Sequence, residues 1–306
     1  MKNNNILKIF QKLNFTKKAV EIVNNSNDDF GIKILFGAAK SLFVASLLKE
    51  TNKKFLLITP NSEIFNDFVD DLNLLTNTEN IFAMHKTKKS NAKLENDTFI
   101  AELVSQISQF NKYQNKSKTS TVTREHTPLL NENNSAIAIA TPDIFNTTIP
   151  NPDAIQNHFC TLKKNQIIDV QQFTTQLSLN GFQREQYVSR AGEFAVRGGI
   201  IDIFAPNMQA PIRVELWGDE IESIRIFDIL SQRSKAELNE IDFIDSMFVA
   251  ENEKASSTIF DFLSDEIIFI IDSPDSIDWT KKELEPIKNF RKIFLNPLGN
   301  FSNVNY

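Results

Sequence analysis

The sequence is poor in the residues that build covalent cross-links and metal sites. Among its 306 residues there are one cysteine and three histidines, so an internal disulfide is excluded and no Cys/His metal-ligand spacing occurs. No apolar run approaches the roughly 18 residues of a membrane span, and the first residues lack the apolar core of a signal peptide. We therefore expect a cytoplasmic protein without a metal or cofactor and without membrane contact.

Positive charge is also in short supply. Lys and Arg total 33 against 39 Asp and Glu, which leaves a net charge of −6. Non-specific DNA binding depends on neutralising many phosphates with Lys and Arg, so this balance argues against broad, charge-driven capture of DNA. With 41% hydrophobic and 24% charged residues, the chain has a globular composition and the length for two domains.

Short apolar runs bounded by polar clusters predict buried strands of a mostly parallel sheet. They lie at 32–36, 55–58, 81–84, 136–140, 267–271 and 293–295. Between them are segments with helical period: we expect Ser62 to cap one helix, and Phe99 begins a run of apolar residues spaced three or four apart. The alternation of strands and helices indicates an α/β layer structure.

The region from about 160 to 250 predicts a different architecture. Asp169 can start a short helix that ends at Gly181. Stretches of alternating polarity follow it, at 193–204, 212–217 and 221–227. The last two are joined through Gly218-Asp219, which is typical of a hairpin.

Apolar residues change parity across Gly198-Gly199, and we interpret the change as a bulge that re-aims one continuous strand. This interpretation leaves open which side Phe204 faces. The pattern as a whole predicts an antiparallel β-rich domain at 156–250, inserted between two parts of an α/β domain at 1–155 and 251–306.

The stretch I-L-F-G-A-A-K-S, which begins at Ile34, resembles a phosphate-binding loop without its glycines. The pattern G-x-x-x-x-G-K-[ST] needs both glycines because the backbone curls around phosphates, while the lysine and hydroxyl reach the phosphates and Mg²⁺. Here Lys40 and Ser41 are in place, but Ala39 and Ile34 replace the two glycines. Gly37 lies between them.

A second degraded motif follows the strand predicted at 267–271. An acid at the end of an apolar strand can reach Mg²⁺ beside the phosphates, and Asp272 has this place. Ser273 stands where working helicases carry a Glu that activates water. Because both halves of the site are defective, we predict that it does not hydrolyse nucleotides. We interpret one set of residues as a vestigial nucleotide site: Gly37, Lys40, Ser41 and Asp272.

The longest patterned strings lie in the predicted β domain. Residues 192–204 read G-E-F-A-V-R-G-G-I-I-D-I-F, residues 218–228 read G-D-E-I-E-S-I-R-I-F-D, and Q-R-S follows at 232–234. These strings resemble the N-terminal UvrB-like module of the bacterial transcription-repair coupling factor (Mfd). They also resemble the corresponding part of the excision-repair protein UvrB. The resemblance is strong from about residue 160 to 275 and weak before 150. UvrB keeps intact nucleotide motifs, so both degraded motifs favour the coupling factor's module.

The resemblance implies a fold, a function and a partner. A degenerate RecA/P-loop-like parallel-sheet domain would carry the β insertion as a UvrA-interaction domain. The chain would be a non-catalytic module that binds UvrA and so recruits nucleotide excision repair to stalled RNA polymerase. Contacts with the polymerase and with DNA would belong to parts of such a protein outside this chain. The alternative is a UvrB- or helicase-like ATP-dependent DNA repair enzyme, and a stand-alone DNA-damage binder is a third possibility that the acidic balance disfavours.

Carried over by position, Arg197 in A-V-R-G is the best match to the arginines with which the family contacts UvrA. Arg184 and Phe204 are further candidates from the same resemblance. Arginine is favoured at interface hot spots because its planar fork pairs bidentately with carboxylates. A simpler interpretation is also open, in which Arg197 pairs with Asp202 or Glu215 and Phe204 belongs to the core.

Overall fold

The computed structural model describes residues 3–33, 35–76, 80–86, 93–112, 135–248 and 256–298. The chain divides into two compact units. The parallel-sheet unit comprises Met1–Thr87, Gln106–Thr147 and Thr258–Tyr306, and the β-rich unit comprises Lys88–Ser105 and Thr148–Ser257. None of the helices in this described part of the chain combines the length and the apolar content that a membrane span needs.

The parallel-sheet unit is built on six strands that all run in one direction. Numbered along the whole chain, they are β1 (Phe30–Ile32), β2 (Lys54–Ile58), β3 (Ile81–Met84), β4 (Ala136–Ala140), β13 (Ile268–Asp272) and β14 (Arg291–Leu295). Their order across the sheet is β1-β14-β13-β2-β4-β3. Every residue of β2, β4 and β13 is buried, which explains why these strands are uninterrupted apolar runs in the sequence.

Helices alternate with these strands. They are α1 (Asn3–Gln11), α2 (Asn14–Asn25), α3 (Ala38–Glu50) and α4 (Ser62–Thr76), together with α5 (Lys93–Lys112), whose residues up to Ser105 are assigned to the β-rich unit. The helix predicted from Phe99 is the C-terminal part of α5. Short 3₁₀ segments lie at Pro142–Asn146, Ile259–Phe262, Pro274–Ser276 and Lys282–Asn289. The alternation predicted from the sequence is confirmed as an α/β unit with a parallel sheet.

Several boundaries in this unit differ from the prediction, by one or two residues in β2, β13 and β14 and more in the first strand. The first strand ends at Ile32, not at Phe36, because the amide of Leu35 donates to the side chain of Asn296 and so cannot extend the strand ladder. Helix α4 is capped by Asn61, whose Oδ1 accepts a 3.0 Å hydrogen bond from the amide of Ile64. The prediction that Ser62 is the cap was wrong by one residue. Ile34 lies outside the described residues.

The β-rich unit has a six-stranded sheet and a separate two-stranded one. Its helices are α6 (Pro152–Gln156) and α7 (Val170–Leu179). Its strands are β5 (Phe159–Lys163), β6 (Gln183–Arg184), β7 (Glu193–Arg197), β8 (Ile200–Phe204), β9 (Ile212–Trp217), β10 (Glu220–Phe227), β11 (Ser234–Leu238) and β12 (Glu240–Ile244). The large sheet runs β11-β10-β9-β8-β7-β6 and the small one pairs β12 with β5. As predicted, Asp169 caps α7, its side chain accepting from the amide of Gln172 at 2.9 Å.

The parity change at Gly198-Gly199 has a different cause from the predicted bulge. Strand β7 ends at Arg197, β8 begins at Ile200, and these two residues pair across an antiparallel ladder. The two glycines are therefore the two-residue turn of a hairpin, and Gly198 takes the positive φ of +59° that such turns require. What looked like one bulged strand is two strands.

Candidate docking face and vestigial nucleotide site

The two faces of the six-stranded sheet have different chemistry. One face buries the apolar core of the unit, with Phe194, Ile201, Ile203 and Val214 among its members. Side chains alternate along each strand, so the intervening residues lie on the opposite face. We call that opposite face the arginine face, defined by Arg197, Asp202, Arg213, Glu215 and Arg225.

Asp202 is the centre of the arginine face. Its side chain is 2% exposed, and it accepts from the guanidinium of Arg197 at 2.5 Å. On the other side Arg213 forms a two-pronged contact, from Nε to Oδ1 at 2.8 Å and from Nη2 to Oδ2 at 2.9 Å. This hydrogen bond from Arg213 to Asp202 raises the pKa of the Arg213 guanidinium. One buried carboxylate therefore fixes two arginines side by side.

Each of the same two guanidiniums also contacts an aromatic ring. Arg197 lies 4.7 Å from the ring centre of Tyr187, and Arg213 lies 4.4 Å from that of Phe227. Cation–π contacts of this length are favourable and orient the guanidinium plane. Arg197 also donates from Nη1 to the carbonyl of Gln186 at 3.1 Å. Its side chain is nevertheless 29% exposed, and two of its five N–H donors are engaged within the described chain.

Two further ion pairs extend the arginine face. Glu215 accepts from the hydroxyl of Ser223 at 2.8 Å and pairs with Arg225 at 3.3 Å. At the other end of the face, Glu193 pairs with Arg190 at 2.8 Å. Burial acts to raise the pKa of Glu193, but hydrogen bonds from the amides and side chains of Ser189 and Arg190 outweigh it, so the pKa lies below its usual value.

The structure places the three predicted contact residues differently. Arg197 is on the arginine face and pairs with Asp202, which the simpler interpretation of the sequence had allowed. Phe204 is on the same face, partly buried against Val188, Ala195 and Phe227. Arg184 is exposed on the edge strand β6, where its register partner is the core residue Phe194. Register partners share a side of the sheet, so Arg184 lies on the side opposite Arg197.

Sequence reasoning gave no role to Arg213 and Tyr187, and treated Asp202 as a mere partner of Arg197. A signal for Asp202 existed, since it is the one acid inside the apolar string I-I-D-I-F. Its connection to Arg213 depends on the pairing of β8 with β9. That pairing could be inferred only after the two glycines were recognised as a turn.

The structure brings two halves of the predicted nucleotide site together. The ammonium of Lys40, in the first turn of α3, lies 2.7 Å from Oδ1 and 2.9 Å from Oδ2 of Asp272, at the end of β13. The hydroxyl of Ser273 is 3.3 Å from the same ammonium. The carboxylate of Asp272 is fully buried and Ser41 is 3% exposed. Lys40 is therefore engaged by the chain's own acid.

Hydrogen bonds within the chain fix the backbone of the loop that leads into α3. Asn296 binds both backbone groups of Leu35, accepting from its amide at 2.8 Å and donating to its carbonyl. The amides of Ala39 and Lys40 donate to the carbonyls of Phe36 and Gly37 at 3.1 Å. These are amides of the kind that a phosphate-binding loop offers to its ligand. In the part of the chain that the structure describes, no three His, Cys, Asp or Glu side chains cluster as metal ligands would.

Comparison with known proteins identifies the β-rich region. Residues 160–246 match the family model of the UvrB interaction domain. The transcription-repair-coupling factor of Staphylococcus aureus is 53% identical over 87 residues, which are 28% of this chain and 7% of that protein. The same factor from Staphylococcus epidermidis is 46% identical over 90 residues, 29% of this chain and 8% of the relative. The matched segment is thus a small part of the relatives' length. Residues 160–246 are thus similar to the UvrB interaction domain, and a segment of about the same length is similar to part of staphylococcal transcription-repair coupling factors.

Proposed function

We propose that this chain acts in transcription-coupled nucleotide excision repair, as a module of a transcription-repair coupling factor that binds UvrA through the arginine face. The observation that carries the proposal is the pair of guanidiniums, Arg197 and Arg213, which Asp202 holds in fixed positions. The relatives' name places them in transcription-coupled repair, and the matching family is defined by an interaction domain.

The arginine face has the properties of a docking site. Arg197 is oriented by an ion pair and a ring, so little side-chain entropy is lost when a partner binds it. Its free donors can form a two-pronged contact with a partner carboxylate. Tyr187 beside it is 57% exposed, and pairs of arginine and aromatic residues are common among interface hot spots. We propose Phe204 and Arg184 as flanking contacts, Arg184 at the sheet edge.

Titration calorimetry of the folded chain with UvrA from the same organism tests this function. Wild type is expected to bind, and Arg197→Ala is expected to weaken binding roughly 30-fold, about 2 kcal/mol. Arg197→Lys keeps the charge but loses the planar fork, so it should also bind less tightly. Lys282→Ala, an exposed cation of the parallel-sheet unit, is the charge-matched control and should bind as wild type does.

The outcomes separate the site from the function. No binding by the folded wild type would refute the function. Undiminished binding by Arg197→Ala would refute the arginine face while leaving the function standing. Arg184→Ala is expected to cost less than Arg197→Ala, because its side of the sheet is the opposite one.

We further propose that the parallel-sheet unit descends from a RecA-like nucleotide-binding domain and no longer hydrolyses ATP. Two contacts and one residue identity support this: Lys40 pairs with Asp272, Asn296 binds the loop at Leu35, and Ser273 stands in the position of the catalytic base. An incoming phosphate would have to displace a fully buried carboxylate from its cation, which costs several kcal/mol.

Calorimetry with Mg-ATP and a phosphate-release assay test this second proposal. We expect no hydrolysis and no binding tighter than about 1 mM, which corresponds to −4.1 kcal/mol. Micromolar affinity that is abolished by Lys40→Ala would instead favour the alternative, an ATP-dependent repair enzyme of the UvrB or helicase type.

A further inference from the structure

A pocket in the parallel-sheet unit is lined largely by lysines and has no part in the sites described above. It has a volume of about 380 Å³ and is formed where α1 and α2 meet the end of α3. Its lining residues are Lys8, Gln11, Lys12, Lys17, Val20 and Glu50. Lys40 is in the first turn of α3 and Glu50 is at its end. At 1.5 Å per residue the two are roughly 15 Å apart, so the pocket is separate from the vestigial nucleotide site.

The lysines of this pocket outnumber its one acid, Glu50. Lys8, Lys12 and Lys17 form no ion pair within the described residues, and Glu50 accepts a 2.8 Å hydrogen bond from Gln11. Three exposed lysines of the β-rich unit differ from these, because each has an acidic partner. Ion pairs engage Lys163 with Glu240, Lys164 with Glu237 and Lys235 with Asp228. In a chain of net charge −6, this pocket therefore has a local excess of positive charge that a bound anion would offset.

The cluster is also electrostatically unfavourable as it stands. Lys17 lies in the first turn of α2, at the positive end of the helix dipole, and no acid or capping side chain is present in that turn. Burial, and then the positive charge of Lys8, lower the pKa of Lys49 in the last turn of α3. An anion placed among Lys8, Lys12 and Lys17 would relieve both repulsions.

We propose that this pocket binds a compact polyphosphate group, free or as the phosphate chain of a small molecule. Ammonium groups are strong point-charge donors to phosphate oxygens, and Val20 with the lysine stems gives the concave wall that a small ligand needs. The volume is in the range of small-molecule sites, and the acidic balance of the chain disfavours a nucleic-acid duplex. This proposal does not depend on the binding of UvrA.

Calorimetry with inorganic tripolyphosphate tests the site. At about 50 mM salt wild type is expected to bind, and binding should weaken several-fold at about 200 mM because exposed charges are screened. The combined variant Lys8→Ala, Lys12→Ala, Lys17→Ala should bind at least tenfold more weakly. The matched control is Lys163→Ala, Lys164→Ala, Lys235→Ala, which removes the same charge from ion-paired positions and should stay within twofold of wild type.

A single variant guards against misfolding of the triple one. Lys17→Ala removes a charge that opposes the helix dipole, so it should fold well and still bind at least threefold more weakly. The ligand should also raise the melting temperature of wild type and not of the triple variant. The proposal is overturned if tripolyphosphate does not bind at low salt, or if the control loses as much affinity. It is equally overturned if a DNA duplex binds these lysines and tripolyphosphate does not.

Discussion

Each compact unit has an aspartate that is buried against lysine or arginine side chains, Asp272 in the parallel-sheet unit and Asp202 in the β-rich unit. Both carboxylates are almost completely shielded from solvent. Asp272 faces one ammonium, that of Lys40, which contacts both of its oxygens. Asp202 faces two guanidiniums, those of Arg197 and Arg213, and each stays partly exposed.

The difference lies in the chemistry of the cation. A lysine ammonium is a compact charge that one carboxylate can neutralise, whereas a guanidinium has five donors in a rigid plane. The ammonium of Lys40 is therefore already paired with Asp272 and is not free to bind another anion. Asp202 leaves donors of Arg197 unoccupied and fixes their direction. A buried aspartate therefore engages the whole ammonium in one unit and leaves guanidinium donors unoccupied in the other.

The largest expected effect is that of Asp202→Asn. The substitution keeps the shape but removes the charge that two arginines share. Removing one member of a buried ion network leaves uncompensated charge, so we expect the free energy of unfolding to fall by about 3 kcal/mol or more. Urea unfolding measures it. Asp219→Asn, in the exposed β9–β10 turn, is the control and should change stability by less than about 0.5 kcal/mol. A loss below about 1 kcal/mol for Asp202→Asn would mean that solvent screens the positive charges of Arg197 and Arg213 once the carboxylate is gone.

Lys40→Met should have a somewhat smaller effect, about 2–3 kcal/mol, because Asp272 loses its one cation while Ser273 still donates to it at 3.2 Å. The double variant Lys40→Met, Asp272→Asn removes both charges and should recover most of the loss. The two single variants and the double one form a mutant cycle, and urea unfolding gives its coupling energy. If the loss in the double variant equals the sum of the two single losses, Lys40 and Asp272 do not stabilise each other. That result would weaken the contrast with Asp202.

Alkaline pH should separate the two units by the sign of its effect. Burial lowers the pKa of Lys54, in the parallel-sheet unit, from 10.5 to about 8, with Glu266 acting in the opposite direction. Between pH 8 and 10.5, Lys54 is therefore protonated in the unfolded chain and largely neutral in the folded one. Because the unfolded state binds more protons in this range, Lys54 makes stability rise with pH from about 8 to 10.5. Burial, followed by the charges of Asp245 and Asp242, raises the pKa of Cys160 in the β-rich unit from 9.0 to about 11.

The folded chain keeps the Cys160 proton to a higher pH than the unfolded chain does. The contribution of Cys160 to stability is therefore present below pH 9 and is lost as pH rises toward 11. Unfolding free energies of wild type, Lys54→Met and Cys160→Ala, measured from pH 7.5 to 10.5, isolate the two groups. Relative to Lys54→Met, wild type should gain up to roughly 2 kcal/mol across this range. Relative to Cys160→Ala it should lose stability above pH 9. Parallel curves for all three proteins would contradict both assignments.

Local pattern predicted much of the fold. The strands at 81–84 and 136–140 have the predicted bounds, because a buried parallel strand is a short apolar run that needs no knowledge of its partner. The hairpin at Gly218-Asp219 was readable for the same reason: the turn and its strands are adjacent in sequence. Gly198-Gly199 was misinterpreted, since a parity change fits a bulge as well as a turn and pairing decides between them.

Site residues were predictable where a motif fixed them and not where distant segments meet. The contact between Lys40 and Asp272 spans 232 residues, yet two degraded motifs indicated it. Nothing in the sequence indicated Asn296, which closes the loop at Leu35 from 261 residues away. Family resemblance proposed both Arg197 and Arg184 as contact residues, but it gave no information about which side of the sheet Arg184 occupies.

The smallest expected effects compare one glycine from each unit. Gly37 has φ +50° and ψ −135° at the start of α3, and Gly198 has φ +59° in the β7–β8 turn. An added Cβ would meet nothing within 4 Å at either position, so each Gly→Ala change should cost only backbone strain. That cost is about 1 kcal/mol for Gly198 and about 2 kcal/mol for Gly37, whose conformation is nearly exclusive to glycine. Urea unfolding of both variants decides the order. A larger loss at Gly198 would mean that the β7–β8 turn is the more constrained of the two. The expected order means instead that Gly37 keeps the shape of the closed loop, whether or not a nucleotide ever binds there.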